Sequence, residues 1–120
     1  MSQQADDRRA HRRHDTELQV QATPDKGGVV ARMVARNLSA GGLYCTSSAD
    51  FAEMTRLAVR LILPIKGSRN GDTQALDVEA VVVRRRELPV SHAGEPRYEL
   101  ALFFTGMPDD AREQIRGFLN

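Results

Sequence analysis

The chain has 120 residues, a formal net charge of +1, no tryptophan and a single cysteine, Cys45. This length suits one compact domain, and the near-zero charge excludes a strong overall attraction to nucleic acid or membrane. One cysteine excludes an intrachain disulfide and a cysteine-based metal site. No apolar run approaches the roughly 20 residues of a membrane span, and the polar start lacks the apolar stretch of a signal peptide. The sequence therefore predicts a cytoplasmic protein without membrane insertion.

The first segment, residues 1–16, contains almost no apolar side chains. Because nothing there offsets the entropy of ordering the chain, we expect a flexible arm. The arm is basic, with arginines at four positions: Arg8, Arg9, Arg12 and Arg13. A guanidinium group suits phosphate because its planar fork makes two charge-assisted hydrogen bonds and keeps its proton at neutral pH. The same fork can pair with O6 and N7 of guanine.

Six segments after the arm have the period-two alternation of β-strands. They are Glu17–Ala22, Val29–Leu38, Gly42–Thr46, Arg56–Leu63, Leu76–Arg85 and Arg97–Phe104. Turn residues separate them, including Pro24 to Gly28 and the Asn70–Gly71 pair in the loop 66–72. The last strand places four large side chains on one face: Tyr98, Leu100, Leu102 and Phe104.

The hydrophobic period changes to that of a helix after the last strand. Ala111, Ile115, Phe118 and Leu119 form an i, i+4, i+7, i+8 stripe, which predicts an amphipathic helix over about 108–119. Pro108, Asp109 and Asp110 suit its N-terminus. Six short strands and one helix favour a small antiparallel barrel or a strongly curled sheet over residues 17–120, because closure removes exposed strand edges. The helix would lie over one opening or face.

A small polar turn between the second and third strands reads Asn-x-Ser-x-x-Gly, from Asn37 through Ser39 to Gly42. Short polar side chains at such a turn can pair with the edge of a base. Gly41 and Gly42 would let a ligand approach the backbone closely. The competing interpretation is a plain turn, because Asn, Ser and Gly are common turn residues.

The arginine cluster and the polar turn together resemble the two motifs of the PilZ domain family, Arg-x-x-x-Arg and Asp/Asn-x-Ser-x-x-Gly. Arg8 and Arg12 match the first motif, and Arg9 with Arg13 also satisfies its spacing. The resemblance covers nearly the whole chain and implies an all-β, six-stranded antiparallel β-barrel with a C-terminal α-helix. The strand ending at Phe104 looks like the last strand of the family, which often has Gly where this chain has Ala101.

This resemblance implies a receptor for the bacterial second messenger cyclic di-GMP, without catalytic activity or cofactor. It assigns the ligand contacts to Arg8, Arg9, Arg12, Asn37, Ser39 and Gly42, with Arg13, Gly41 and Arg84 as further candidates. The implied mechanism is closure of the arm over the turn, which creates a surface for an unidentified downstream protein. The alternative is a PilZ-like adaptor that acts through protein contacts and binds no nucleotide.

An enzyme is a competing interpretation that finds little support in the residues. The three histidines, His11, His14 and His92, have no nucleophile or carboxylate partner at a fixed spacing. Neither a Walker-type loop nor a Rossmann glycine pattern occurs. The sequence therefore predicts a binding protein.

A nucleic-acid-binding barrel would use the arm together with the run Arg84-Arg85-Arg86. Such surfaces usually expose several aromatic side chains for base stacking. Tyr44 is the main candidate here, and the arginine run is interpreted as a solvated strand end. We therefore expect no nucleic-acid partner.

Overall fold

The computed structural model describes residues 17–25, 27–28, 30–65 and 67–119, so the predicted arm over 1–16 lies outside the described residues. The described elements are β1 (Leu18–Pro24), β2 (Ala31–Leu38), β3 (Gly42–Ser47), β4 (Arg56–Pro64), β5 (Thr73–Leu88), β6 (Arg97–Gly106) and α1 (Asp109–Leu119). The strands form a closed barrel in the order β1-β2-β3-β6-β5-β4. All neighbouring strands are antiparallel, which confirms the predicted fold.

The strands alternate between the core and the outer wall of the barrel, as their period-two pattern predicts. In β4, for example, Leu57, Val59 and Leu61 are buried, whereas Ala58 and Arg60 are exposed. The inward face predicted for β6 is also confirmed, with Leu100, Leu102 and Phe104 buried and Tyr98 packed against the core. Burial of these side chains is the main stabilising contribution to the barrel.

Helix α1 adds its apolar stripe to the same core. Ala111, Ile115, Phe118 and Leu119 are buried, as predicted. The amide nitrogen Nε2 of Gln74 donates a hydrogen bond to Oε1 of Gln114 at 2.8 Å, which holds α1 beside the start of β5. Within the described residues, no helix has the length and apolar character needed to cross a membrane.

Strand β5 is longer than its sequence pattern predicts, because it extends three residues beyond each end of Leu76–Arg85. Its ends have no buried alternation and are held by pairing, with Thr73 opposite Pro64 and Leu88 opposite Arg97. The arginine run therefore lies near the end of β5, where Arg84 and Arg86 are exposed, as interpreted, and Arg85 is half-buried. The other predicted strand ends coincide with the structure or differ from it by one or two residues.

Arg85, the middle arginine of that run, connects the barrel to the loop between β3 and β4. Its guanidinium forms an ion pair with Asp50, with Nη2 2.7 Å from Oδ2, and lies 5.1 Å from the ring centre of Tyr98. The hydrogen bond from Arg85 lowers the pKa of the Asp50 carboxyl below its usual value. This arginine thus fastens the loop between β3 and β4 to the barrel.

Candidate functional site

A β-bulge in β2 brings Asn37 to the outer wall. The register with β3 slips between Ala35, opposite Cys45, and Asn37, opposite Tyr44. The extra residue, Arg36, is exposed, and the inward positions change from Ala35 before the bulge to Leu38 after it. Without the bulge, strict alternation would have placed Asn37 in the core.

The side chain of Asn37 has an unsatisfied polar atom. Its Oδ1 is buried and accepts no hydrogen bond from any residue that the structure describes. A buried acceptor without a donor costs free energy, on the order of 1–3 kcal/mol. Asn37 is only half-buried as a residue, so a group arriving from outside the described chain can supply the missing donor.

Ser39 uses its hydroxyl inside the turn. The Oγ accepts a hydrogen bond from the backbone N–H of Gly41 at 3.3 Å and donates to the carbonyl of Gly42 at 3.3 Å. The backbone N–H of Ser39 also donates to the carbonyl of Gly42 at 2.9 Å. Ser39 therefore shapes the turn that follows Asn37.

Gly42 is required by a neighbouring strand. A Cβ on this residue would lie 2.1 Å from the carbonyl oxygen of Leu102 on β6. The same atom on Gly41 would meet nothing within 4 Å. The sequence predicts that a ligand can approach the backbone closely at both glycines. The space for this approach is present at Gly41, whereas the backbone of β6 fills it at Gly42.

Four side chains form an outer row across the barrel wall, each on a different strand. Asn37 lies opposite Tyr44, Tyr44 opposite Ala101, and Ala101 opposite Arg84. A second bulge, between Val82 and Arg84, ends the row on β5. Because adjacent strands are about 4.8 Å apart, the two ends of the row are separated by about 14 Å.

The side chains in the middle and at the far end of this outer row differ in their exposure. Tyr44, the candidate stacking residue of the nucleic-acid alternative, is half-buried. Ala101 is only 8% exposed although it faces outward. Arg84 is exposed, and no described carboxylate lies within ion-pair distance of it. The row therefore ends in a guanidinium that is available to an anion.

The point where the N-terminal segment joins the barrel is next to this row. Leu18, the first residue of β1, lies opposite Ala35, two residues before Asn37. Glu17 forms an ion pair with Arg36, the bulge residue, at 3.4 Å. The predicted site arginines Arg8, Arg9, Arg12 and Arg13 lie outside the described residues. The structure thus brings together Asn37, Ser39, Gly41 and Gly42. Arg84 lies at the far end of the outer row that begins at Asn37.

Cys45 has no role on this outer wall. It is 1% exposed on the inner face of β3, and its Sγ donates to Sδ of Met33 at 3.4 Å. Burial, with a smaller contribution from Glu99, raises the pKa of the Cys45 thiol to about 12. The group is therefore a neutral core thiol. Within the described part of the chain, no three His, Cys, Asp or Glu side chains form a cluster that could hold a metal ion.

The sequence interpretation missed a second polar area on the outer wall beside Asn37. Gln19, Gln21, Arg32 and Thr46 surround a hollow of about 480 Å³ across β1, β2 and β3. The alternation of these strands predicts that all four side chains face outward. Only the pairing of three strands shows that they face the same hollow.

The family-model comparison identifies the chain. A model described as the PilZ domain matches residues 7–120, and the chain belongs to the PilZ domain family. This family contains cyclic di-GMP receptors and PilZ adaptors and is not a catalytic family. Among curated protein sequences, no match was found.

Solved structures with the same fold include three bacterial proteins. The Bacillus subtilis inhibitor of motility MotI/DgrA superimposes with a TM-score of 0.69 at 23% identity, over 93% of this chain and 49% of its own. The PilZ domain of YcgR from Escherichia coli, solved with c-di-GMP, has a TM-score of 0.63 at 16% identity, over 91% and 86%. K. pneumonia MrkH in its apo state has a TM-score of 0.68 at 16% identity, over 93% and 49%. The chain thus spans about half the length of MotI/DgrA and MrkH.

Proposed function

We propose that this chain is a cyclic di-GMP receptor without catalytic activity, which signals by binding a protein partner. Membership of the PilZ domain family supports the ligand class, and the YcgR domain of the same fold was solved with c-di-GMP. Both motifs of the family resemblance are filled, from Arg8 to Arg12 and from Asn37 to Gly42.

The observation that carries the proposal is the unsatisfied Oδ1 of Asn37. The fold uses a bulge to bring this acceptor out of the core and then provides no donor for it within the described residues. Guanine presents N–H donors on its edge, and an arginine from the N-terminal segment would also supply donors. Either group would satisfy the oxygen only when the ligand or the segment occupies the outer row.

The length of the N-terminal segment is sufficient for the proposed closure. Arg12 is six residues before Leu18 and Arg8 is ten residues before it. At about 3.3–3.6 Å per residue, a chain of six residues reaches up to about 20 Å. Since Leu18 is anchored beside Ala35, the guanidinium of Arg12 can reach the whole outer row.

The residues then have distinct roles in the proposal. Arg8, Arg9 and Arg12, with Arg13 as the offset alternative, contact the phosphates and guanine edges of the ligand. Asn37 pairs with a guanine edge or with the closed segment, and Ser39 and Gly42 keep the turn in shape. Gly41 leaves room for the ligand, and Arg84 adds a positive charge for its phosphates at the end of the outer row.

A calorimetric titration with cyclic di-GMP tests this function, with GTP and cyclic GMP as controls. We expect saturable binding of cyclic di-GMP and none of the control nucleotides at the same concentrations. Absence of cyclic di-GMP binding would reject the receptor and leave the adaptor. Cyclic di-GMP that remains intact during long incubation with the protein would support a receptor over a phosphodiesterase.

Closure of the segment is tested separately, by amide hydrogen exchange. Residues 5–16 should gain protection when the ligand is saturating, because their backbone would be ordered against the barrel. Unchanged protection at saturation would reject closure while leaving ligand binding intact.

One observation favours the adaptor alternative. Ser39 and Gly42 are both explained by the turn itself, through the hydroxyl hydrogen bonds of Ser39 and the close approach of Leu102 to Gly42. Two of the three motif residues in this turn would therefore be needed by the fold even without a ligand. Asn37 has no such structural explanation, and this difference makes the receptor the stronger proposal.

A further inference from the structure

The polar hollow formed by Gln19, Gln21, Arg32 and Thr46 is separate from the motif residues but borders the outer row. Thr46 follows Tyr44 by two residues on the same face of β3, a distance of about 7 Å. Val34, which lies opposite Thr46, also lines the hollow. A ligand that occupies the outer row therefore reaches the edge of the hollow.

The charge of the hollow suits a ligand that presents hydrogen-bond acceptors. Among the described residues that line it, none is acidic. Two carboxylates beside the hollow are already paired: Glu17, two residues before Gln19, with Arg36 at 3.4 Å, and Glu99, opposite Thr46, with Arg86 at 2.9 Å. Arg32 is exposed, and no described carboxylate lies within ion-pair distance of it. Its guanidinium is thus the one charged group among the described residues of the lining.

The polar groups around Arg32 resemble those that recognise a base edge. A guanidinium offers a fixed fork of donors that fits O6 and N7 of guanine. Gln19 and Gln21 each carry an amide that both donates and accepts, and Thr46 carries a hydroxyl that does the same. Gln21 lies opposite Arg32, and Gln19 lies opposite Val34, so their side chains share one side of the wall.

We propose that this hollow is a second guanine subsite, in which the guanidinium of Arg32 contacts O6 and N7 and the amide of Gln21 contacts the rest of the base edge. The subsite rests on the proposed cyclic di-GMP function and goes beyond the two motifs. Its guanine comes from the far end of the ligand held at Asn37 or from a second ligand molecule stacked on it.

The test compares two single-arginine variants by calorimetry with cyclic di-GMP. Arg32→Ala should weaken binding by about 5- to 150-fold, the discrimination expected of one bidentate contact to a base. Arg112→Ala removes an exposed arginine of α1 and should leave the affinity unchanged. Because Arg32 is exposed, both variants should unfold at the same urea concentration as the unaltered protein.

Repeating the titrations at about 50 and 300 mM salt separates a direct contact from a general charge effect. A direct contact keeps the loss in Arg32→Ala at both salt concentrations. An equal loss in Arg112→Ala, or a loss that disappears at high salt, would overturn the subsite. Gln21→Leu, which changes no charge, should also weaken binding, and undiminished affinity in this variant would overturn the contact to the base edge.

The stoichiometry distinguishes the two sources of the guanine. One ligand per protein in both the unaltered chain and Arg32→Ala indicates the far end of a single molecule, whereas a decrease from two to one indicates a stacked second molecule. If the unaltered protein binds no cyclic di-GMP, the proposed function and the subsite are both rejected. If it binds and Arg32→Ala binds equally well, only the subsite is rejected.

Discussion

Two sides of the barrel wall treat their polar groups differently. Between β4 and β5 the register runs without a slip from Arg56 opposite Val81 to Pro64 opposite Thr73. On this scaffold wall, Arg60 forms two hydrogen bonds to Asp77, at 2.8 and 3.2 Å. The site wall, β1 to β3, has the bulge at Arg36 and the unsatisfied Oδ1 of Asn37.

In the proposed receptor, an unmet polar group and not cavity size distinguishes the site. A groove larger than the polar hollow, about 740 Å³, lies on the scaffold wall around the Arg60–Asp77 pair. In this groove, Arg60 and Asp77 already satisfy each other. Native structures leave few buried polar atoms without partners, so each exception requires an explanation. On the site wall, the explanation that we propose is a partner from outside the barrel.

The largest expected effect is a loss of cyclic di-GMP affinity when an arginine of the proposed site is removed. Arg12→Ala should reduce the free energy of cyclic di-GMP binding by about 2–5 kcal/mol, because a desolvated charge contact is lost. Arg60→Ala on the scaffold wall should leave binding unchanged, since that guanidinium is paired with Asp77. Calorimetry measures both, and an undiminished affinity in Arg12→Ala would reject its role in the site.

The next effect concerns the turn that carries the motif. Gly42→Ala should lower the free energy of unfolding by about 3 kcal/mol, because overpacking must displace backbone. The backbone in question is the carbonyl of Leu102, 2.1 Å from the added Cβ. Gly41→Ala is the matched control and should change stability by less than about 0.5 kcal/mol. Equal urea midpoints for the two variants would contradict the structural role of Gly42.

A third variant separates stability from function at one residue. Asn37→Leu should leave the free energy of unfolding unchanged or raise it by up to about 1 kcal/mol, because an unsatisfied buried acceptor is removed. The same variant should weaken cyclic di-GMP binding by about 1–3 kcal/mol. Urea unfolding and calorimetry on one preparation would show both changes. A clear loss of stability would mean that Oδ1 has a structural partner.

The smallest effect tests the inner face of the site wall, which is as well packed as the scaffold wall. The pKa of the Cys45 thiol is raised from 9.0 to about 12 in the folded protein. Between these values the unfolded chain binds fewer protons, so stability falls as pH rises. By pH 10 this loss should reach about 1.4 kcal/mol.

Cys45→Ala provides the control for that pH dependence. Its stability should be lower at every pH because a buried group is deleted, but the decline that the thiol causes above pH 9 should be absent. Urea unfolding from pH 8 to 10 compares the slopes. The same slope in both proteins would show that the thiol does not stay protonated in the fold.

Strand number, helix position and most of the core could be predicted from the sequence, because local alternation encodes them. Leu57 to Leu63 on β4 is an example, since every second side chain is apolar and buried. The bulge at Arg36 could not be predicted in this way, because it depends on how β2 meets β3. Long-range pairing also explains Gly42, whose neighbour Leu102 is on β6.

The run of charged residues was the least informative part of the sequence, because the surroundings of each charge also depend on long-range strand pairing. The run Arg84-Arg85-Arg86 looks uniform in the sequence, yet its members have three different surroundings. Arg84 is exposed at the end of the outer row, Arg85 is paired with Asp50, and Arg86 is paired with Glu99. Only the position of each residue in the register of β5 and β6 decides which charge remains available.

The link between the motif turn and β6 has a consequence for the newly made protein. The backbone N–H of Phe104 donates to the carbonyl of Gly41 at 3.0 Å, and Gly42 lies opposite Phe103. During synthesis the N-terminal arginines and the turn leave the ribosome long before β6 does. A nascent chain therefore carries both motifs before β6 is present to pair with the turn. In the proposed receptor, the complete binding surface would form only when β6 has been translated and paired.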